Sequence, residues 1–163
     1  MPEPVPREHL AALAVLCAKL PLPTVNWALT GSLGHRLQGV DVPVHDIDVQ
    51  TDAAGAAAVA AALAAYVVVP PGPRESDRIS SIFGTLTVAG VCVEVMGGLR
   101  KRTGPGAAWG PPTDPAAHRV LVRHAGLTVP VLSLAYEADA YEAIGRPERA
   151  ALLRAAAAGD GLG

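Results

Sequence analysis

Apolar positions recur with helical spacing at Leu10, Leu13, Ala14, Cys17 and Leu20, which predicts an amphipathic helix over 7–20. Pro21 and Pro23 close it. The apolar stretch Val25-Asn26-Trp27-Ala28-Leu29 then reads as a buried strand over 25–30. Gly31-Ser32 follows directly, and Ser32 suits the N-cap of a short helix reaching about Gly39. After Pro43, the apolar residues Val44, Ile47 and Val49 mix with acids in a second strand over 44–50.

Asp52 caps an Ala-rich helix that ends near Tyr66, with Val67-Val68-Val69 as a short strand beyond it. Pro70-Pro71-Gly72-Pro73 reads as a loop. Segments 79–88 and 91–96 are predicted strands joined by a tight turn at Ala89-Gly90. The stretch 97–115, rich in Gly and Pro, is an irregular excursion, and 119–124 with 127–132 forms another hairpin around Ala125-Gly126. Ser133 caps a helix to about Ile144. Gly145 breaks it, and Pro147 starts a last helix that frays over 155–163. No internal repeat is visible. This order predicts an α/β (α+β) fold, a mixed β-sheet flanked by helices. It forms a single domain over 1–163, with a core at about 24–96 and a C-terminal extension at about 97–158.

Composition narrows the picture in a few places. A chain of 163 residues is long enough to bury roughly two-thirds of its unfolded surface. Only six residues are aromatic, so the core is expected to consist of small aliphatics with Trp27, Trp109 and Phe83 as rare large fillers. A net charge of −2 argues against a generally basic nucleic-acid binder. Cys17 and Cys92 are too few for a disulfide framework or a zinc site. The start lacks the features of a secretory signal, and the longest apolar run, 56–69, is shorter than the roughly 18 residues of a membrane span. A cytoplasmic protein with no membrane association is the expectation.

The chemistry concentrates in three places. Asp46-Ile47-Asp48 puts two acids at alternate positions of a strand, on one face and roughly 7 Å apart at the backbone. Two such carboxylates repel unless a cation lies between them, and a hard divalent metal fits. Glu94, between Val93 and Val95 in another apolar strand, is costly to bury unless paired, metal-bound or protonated. Were the two strands neighbours, Asp46, Asp48 and Glu94 would form a cage for magnesium or manganese. Gly31 lets a backbone approach a phosphate without a Cβ in the way, and Ser32 adds a hydroxyl at a helix start.

Gly31-Ser32, the Asp46-Ile47-Asp48 strand and the Val93-Glu94-Val95 strand together resemble the DNA polymerase β-like nucleotidyltransferase superfamily. The likeness covers about residues 24–96. The chain's end, 129–134 with Gly145-Arg146-Pro147-Glu148-Arg149, is similar to the small bacterial antibiotic- and toxin-type members. The resemblance implies that Asp46 and Asp48 hold the metal, Glu94 completes the catalytic site, and Gly31 and Ser32 hold the triphosphate of ATP or another NTP. The sequence departs from the pattern at His45, where Ser or Thr is usual, and in a closing helix without Lys. The cation for the triphosphate then has to come from Arg36, Arg146 or the Arg100-Lys101-Arg102 run. Arg36, Arg100 and Lys101 are therefore candidate nucleotide contacts.

Simpler readings stand beside these. Gly-Ser after a strand is an ordinary turn in many proteins, the two aspartates fit a solvated edge, and Glu94 could pair with Arg78 or Arg100. The basic run could be a solvated loop, and His35 and His45 either line the site or lie outside it. P-loop, dinucleotide-binding and nucleophile-elbow motifs are absent. The leading expectation is a magnesium-dependent enzyme moving a nucleoside monophosphate, AMP first, onto a hydroxyl. The acceptor would be a small molecule of aminoglycoside or lincosamide type, or a group on a protein or RNA. The alternative is a weakly active or inactive nucleotide- or partner-binding module, such as half of a toxin–antitoxin pair. A purely structural domain would bind neither metal nor nucleotide. So short a chain has little beyond its core to shape an acceptor pocket, which would borrow the 97–115 excursion or the second subunit of a homodimer.

Overall fold

The computed structural model describes residues 4–160. Helix α1 (Arg7–Lys19) leads to β1 (Trp27–Thr30), α2 (Gly31–Leu37), β2 (Ile47–Thr51) and α3 (Ala53–Ala62). After a 3-10 turn at Ala64–Tyr66 come β3 (Val67–Glu75), β4 (Ile79–Val88) and β5 (Val91–Lys101). The chain ends with α4 (Pro115–His118), β6 (Arg119–His124), β7 (Leu127–Leu132), α5 (Leu134–Ala143) and α6 (Pro147–Asp160). The strands form one seven-stranded mixed sheet in the order β3-β4-β5-β2-β1-β7-β6. The sheet is parallel at β2/β5 and β1/β7 and antiparallel elsewhere.

The two faces of this sheet have different chemistry because side chains alternate along each strand. Trp27, Leu29, Ile47, Val49, Val93, Val95, Val129 and Val131 belong to the main core, together with Leu13 and Leu16 of α1 and Val59 of α3. Thr30, Asp48, Gln50 and Glu94 alternate with those residues and so occupy the other face. There a smaller core joins Val40 and Val42 to Leu134 and Ala138 of α5 and Leu153 of α6. The apolar face thus fixes the strands, and the opposite face is left to carry polar groups.

Several boundaries differ from expectation. Pro70-Pro71-Gly72-Pro73 is part of β3, not a loop. β3 is the outermost strand and pairs only with β4, with register shifts on either side of Val69. An edge strand can spare the amide donors that proline lacks. β5 continues through Gly97-Gly98 to Lys101, because a bare glycine lets α3 lie against the strand. A Cβ on Gly97 would stand 2.8 Å from the Ala56 Cβ and 3.0 Å from the Asp52 carbonyl oxygen. β2 starts only at Ile47. The last helix holds to Asp160; the rest of the segment predicted to fray, 161–163, lies outside the described residues. Among the described residues, no helix is long and apolar enough to cross a membrane.

Candidate active site

In the parallel pair of β2 and β5, Asp48 lies directly opposite Glu94, and across the antiparallel pair with β1 it lies opposite Thr30. Asp46 immediately precedes β2, and ligand atoms of Asp46, Cys92 and Glu94 all fall within 4.8 Å of one another. The structure therefore brings Asp46, Asp48 and Glu94 to one edge of one face. Cys92, two residues before Glu94 and on its side of the strand, adds a thiol not foreseen as a donor. The signal was the same i, i+2 spacing that links the two aspartates.

Crowding these acids has a measurable consequence. Burial first, and then the charge and hydrogen bond of Glu94, push the Asp48 carboxyl up to about 8, with smaller contributions from Asp46 and Glu137. The protonated form of Asp48 is thereby favoured near neutral pH. A divalent ion supplies the charge this set lacks, and three carboxylates suit an oxygen-seeking metal such as magnesium. The donors fit the ion.

Gly31 begins α2 with φ +70°, a left-handed conformation that glycine adopts without penalty. A Cβ there would also overlap the Asp48 carboxylate, so the turn and the acid occupy adjoining space that only glycine permits. Ser32 is the second residue of α2, and Thr30 is the N-cap, without a side-chain capping bond. The Ser32 hydroxyl accepts from the His45 amide at 3.0 Å. That bond ties the start of α2 to the loop entering Asp46.

The turn is held from below by a residue that the sequence reading passed over. Glu137 on α5 is 1% exposed, and its Oε1 accepts from the Thr30 hydroxyl at 2.5 Å and the Gly31 amide at 3.3 Å. His35 Nε2 lies 3.2 Å from the same oxygen, and Arg149 donates to His35 Nδ1 at 3.1 Å. With Nδ1 accepting, Nε2 carries the hydrogen and donates to Glu137. A buried chain of hydrogen bonds thus runs from α6 through α2 to α5 and the Gly31 backbone.

Two adjoining cavities meet at Asp48 and Glu94. The smaller, about 220 Å³, is also walled by Ser32, His45, Arg146 and Arg149. The larger, about 310 Å³, extends beneath α5. Arg146 borders both, with its guanidinium 4.9 Å from the Tyr141 ring centre. Lys101 lines the larger cavity and donates to Tyr136 at 3.0 Å and Thr113 at 3.3 Å. The other candidate cations lie elsewhere. Arg36 donates to the Val42 carbonyl at 2.6 Å and borders neither cavity. Arg100 lines a separate hollow with Asn26, Asp52 and Asp114, because a bulge in β5 between Gly97 and Arg100, where Gly98 has φ +58°, flips the alternation and turns Lys101 to the site side in its place. Clustered acids on one wall and arginines on the other suit a metal-bound polyphosphate.

Comparison with known proteins agrees with this chemistry. The profile of the aminoglycoside-2''-adenylyltransferase family matches residues 12–155. None of the curated proteins is a significant match. Among solved structures, a putative nucleotidyltransferase from Thermotoga maritima is 39% identical, superposes with a TM-score of 0.82, and aligns over 93% of this chain and 94% of its own. A lincosamide antibiotic adenylyltransferase, bound to lincomycin, shares the fold at a TM-score of 0.54 with 12% identity, over 92% of this chain and 96% of its own. These matches agree with the motif resemblance at the level of the nucleotidyltransferase superfamily. This enzyme is a nucleotidyltransferase, and it belongs to the aminoglycoside-2''-adenylyltransferase family.

Proposed function

We propose that the protein transfers AMP from magnesium-ATP to a hydroxyl of a small-molecule acceptor. The observation that carries this reading is the convergence of Asp46, Asp48 and Glu94 beside the Gly31 turn, with Arg146 and Arg149 across the cleft. The family's name and the lincosamide adenylyltransferase sharing the fold point to an antibiotic-like acceptor.

When bound, magnesium would neutralise charge on the phosphates and favour the attack on the α-phosphorus. Asp46, Asp48 and Glu94 would hold it. Arg146 and Arg149 would meet the outer phosphates, and the Gly31 turn would let their oxygens come close to the backbone. Glu94 would accept the proton of the acceptor hydroxyl as the hydroxyl oxygen bonds the α-phosphorus and pyrophosphate departs. The protein's contribution is largely positioning and charge.

The test is pyrophosphate release from ATP with magnesium and a panel of aminoglycosides and lincosamides, with Asp48→Asn as the control. Removing a metal-holding carboxylate is expected to lower the rate by at least about 10³-fold, several kcal/mol of transition-state stabilisation. Release that is equal in the wild type and the control would refute the proposal.

A further inference from the structure

The cavity beneath α5 contains a buried polar group without a partner among the described residues. Gln50 follows Asp48 by two residues on β2 and so shares its face. It is 6% exposed, and its Oε1 is buried with no hydrogen bond, although the side chain lines the cavity. Buried amides in folded proteins are almost always paired. An unpaired one in a cavity wall is costly by itself and becomes favourable only when something enters to meet it.

The rest of the wall limits what enters. Met96, Leu99, Ala140, Tyr141 and Ile144 make most of it apolar, and its volume of about 310 Å³ is at the small end of ligand pockets. It adjoins the smaller cavity at Asp48 and Glu94, where a hydroxyl must lie to react. The phosphate side, with Ser32, His45 and Arg149, is the other cavity. A nucleobase is separated from the α-phosphorus by a ribose. Gln50, by contrast, is one strand repeat from Asp48, roughly 7 Å at the backbone. That short span matches the two ends of one substituted ring.

Building on the proposed nucleotidyl transfer, we infer that this cavity seats the acceptor. A compact cyclic alcohol enters with its reacting hydroxyl toward Asp48 and Glu94, and the Gln50 amide hydrogen-bonds a second hydroxyl across the ring. Gln50 is thus a specificity-determining residue for the acceptor. Any larger scaffold that carries the ring remains outside this cavity.

The experiment compares cyclohexanol with trans-1,4-cyclohexanediol, which differ only in the second hydroxyl, on the full chain. Pyrophosphate release is measured with magnesium-ATP. Binding of each probe is measured by NMR with magnesium and α,β-methylene-ATP. Wild type is expected to favour the diol by at least about tenfold in kcat/KM and in binding, the scale set by an unmet buried amide. Gln50→Leu should bring that ratio to within about twofold of one, and leave KM for ATP and the ATP-to-GTP ratio unchanged. Its melting temperature should equal or exceed that of wild type, because leucine leaves no orphaned group, whereas a structural glutamine would be missed. A preference that persists in Gln50→Leu, or is absent from wild type in both measurements, overturns the inference. A changed ATP-to-GTP ratio also overturns it, by placing the base there. Loss of the binding preference in Gln50→Leu without any pyrophosphate release in wild type keeps the seat and removes the transfer reaction.

Discussion

Asp48 is the residue on which the candidate site turns, because its surroundings oppose its charge. Its carboxyl goes from an ordinary 3.8 to about 8 in the folded chain, chiefly through burial and Glu94. A group raised in this way contributes stability in its protonated form. The contribution is complete below about pH 4, where folded and unfolded chains both hold the proton. Between about pH 4 and pH 8 only the unfolded chain releases it, so stability is lost across that window and levels off above it. Asn cannot titrate. In metal-free melts, Asp48→Asn is therefore expected to match wild type near pH 4 and to melt higher by pH 8. A gap of constant size across the range would show that Asp48 is not the source. The neighbouring Gly31 obeys the same geometry from the other side, since its left-handed backbone and missing Cβ make room for that carboxylate. Gly31 and Asp48 each stood out in the sequence as candidates, but their contact did not, because they belong to separate elements that only the β1–β2 pairing brings together.

At the scale of elements, what the sequence shows well is periodicity, and what it hides is partnership. Strand alternation put Asp46, Asp48 and Glu94 on apolar strands, and the parallel pairing of β2 with β5 brings those strands side by side. β3 was misread because its prolines signal a loop unless the strand is known to lie at an edge. β5 was cut short because Gly97 resembles a breaker until α3 is seen packed on it. Arg36 and Arg100 were reasonable cations by charge alone, but one is bound to a loop carbonyl and the other faces a different hollow. Glu137 was invisible for a plainer reason, in that its partners Thr30, Gly31 and His35 lie more than 100 positions away in the chain. Its role gives a sharp contrast between two substitutions. Glu137→Ala strands the Thr30 hydroxyl, the Gly31 amide and the His35 ring, and is expected to cost about 3 kcal/mol or more in denaturant unfolding. In Glu137→Gln the amide oxygen can still accept from all three, so stability should stay within about 1 kcal/mol of wild type. Equal losses in the two variants would show that the carboxylate's charge, and not its acceptor geometry, holds the turn.

Across the whole molecule, one sheet separates two tasks. The apolar face against α1 and α3 supplies the main core, which lets the opposite face hold acids that repel one another. A fold so arranged should be stabilised by a divalent cation held on that face, and to a degree set by pH. On the proposed site magnesium would bind the ionised carboxylates, so below about pH 8 it would have to displace the Asp48 proton, and its affinity should fall by about tenfold for each pH unit of acidification. Above that point the affinity should flatten. Calorimetry in buffers of different ionisation enthalpy should find close to one proton released per ion at about pH 6.5, and a value approaching zero by about pH 9. An ion that binds only the folded chain would, at a concentration 100 times its Kd, add about 2.7 kcal/mol to stability. At a fixed magnesium concentration the rise in melting temperature should therefore be larger at pH 8.5 than at pH 6, and Asp48→Asn should lose this pH dependence. Magnesium affinity that does not vary with pH in wild type would mean that the ion bypasses Asp48, and the candidate site would have to be rebuilt around Asp46, Cys92 and Glu94 alone.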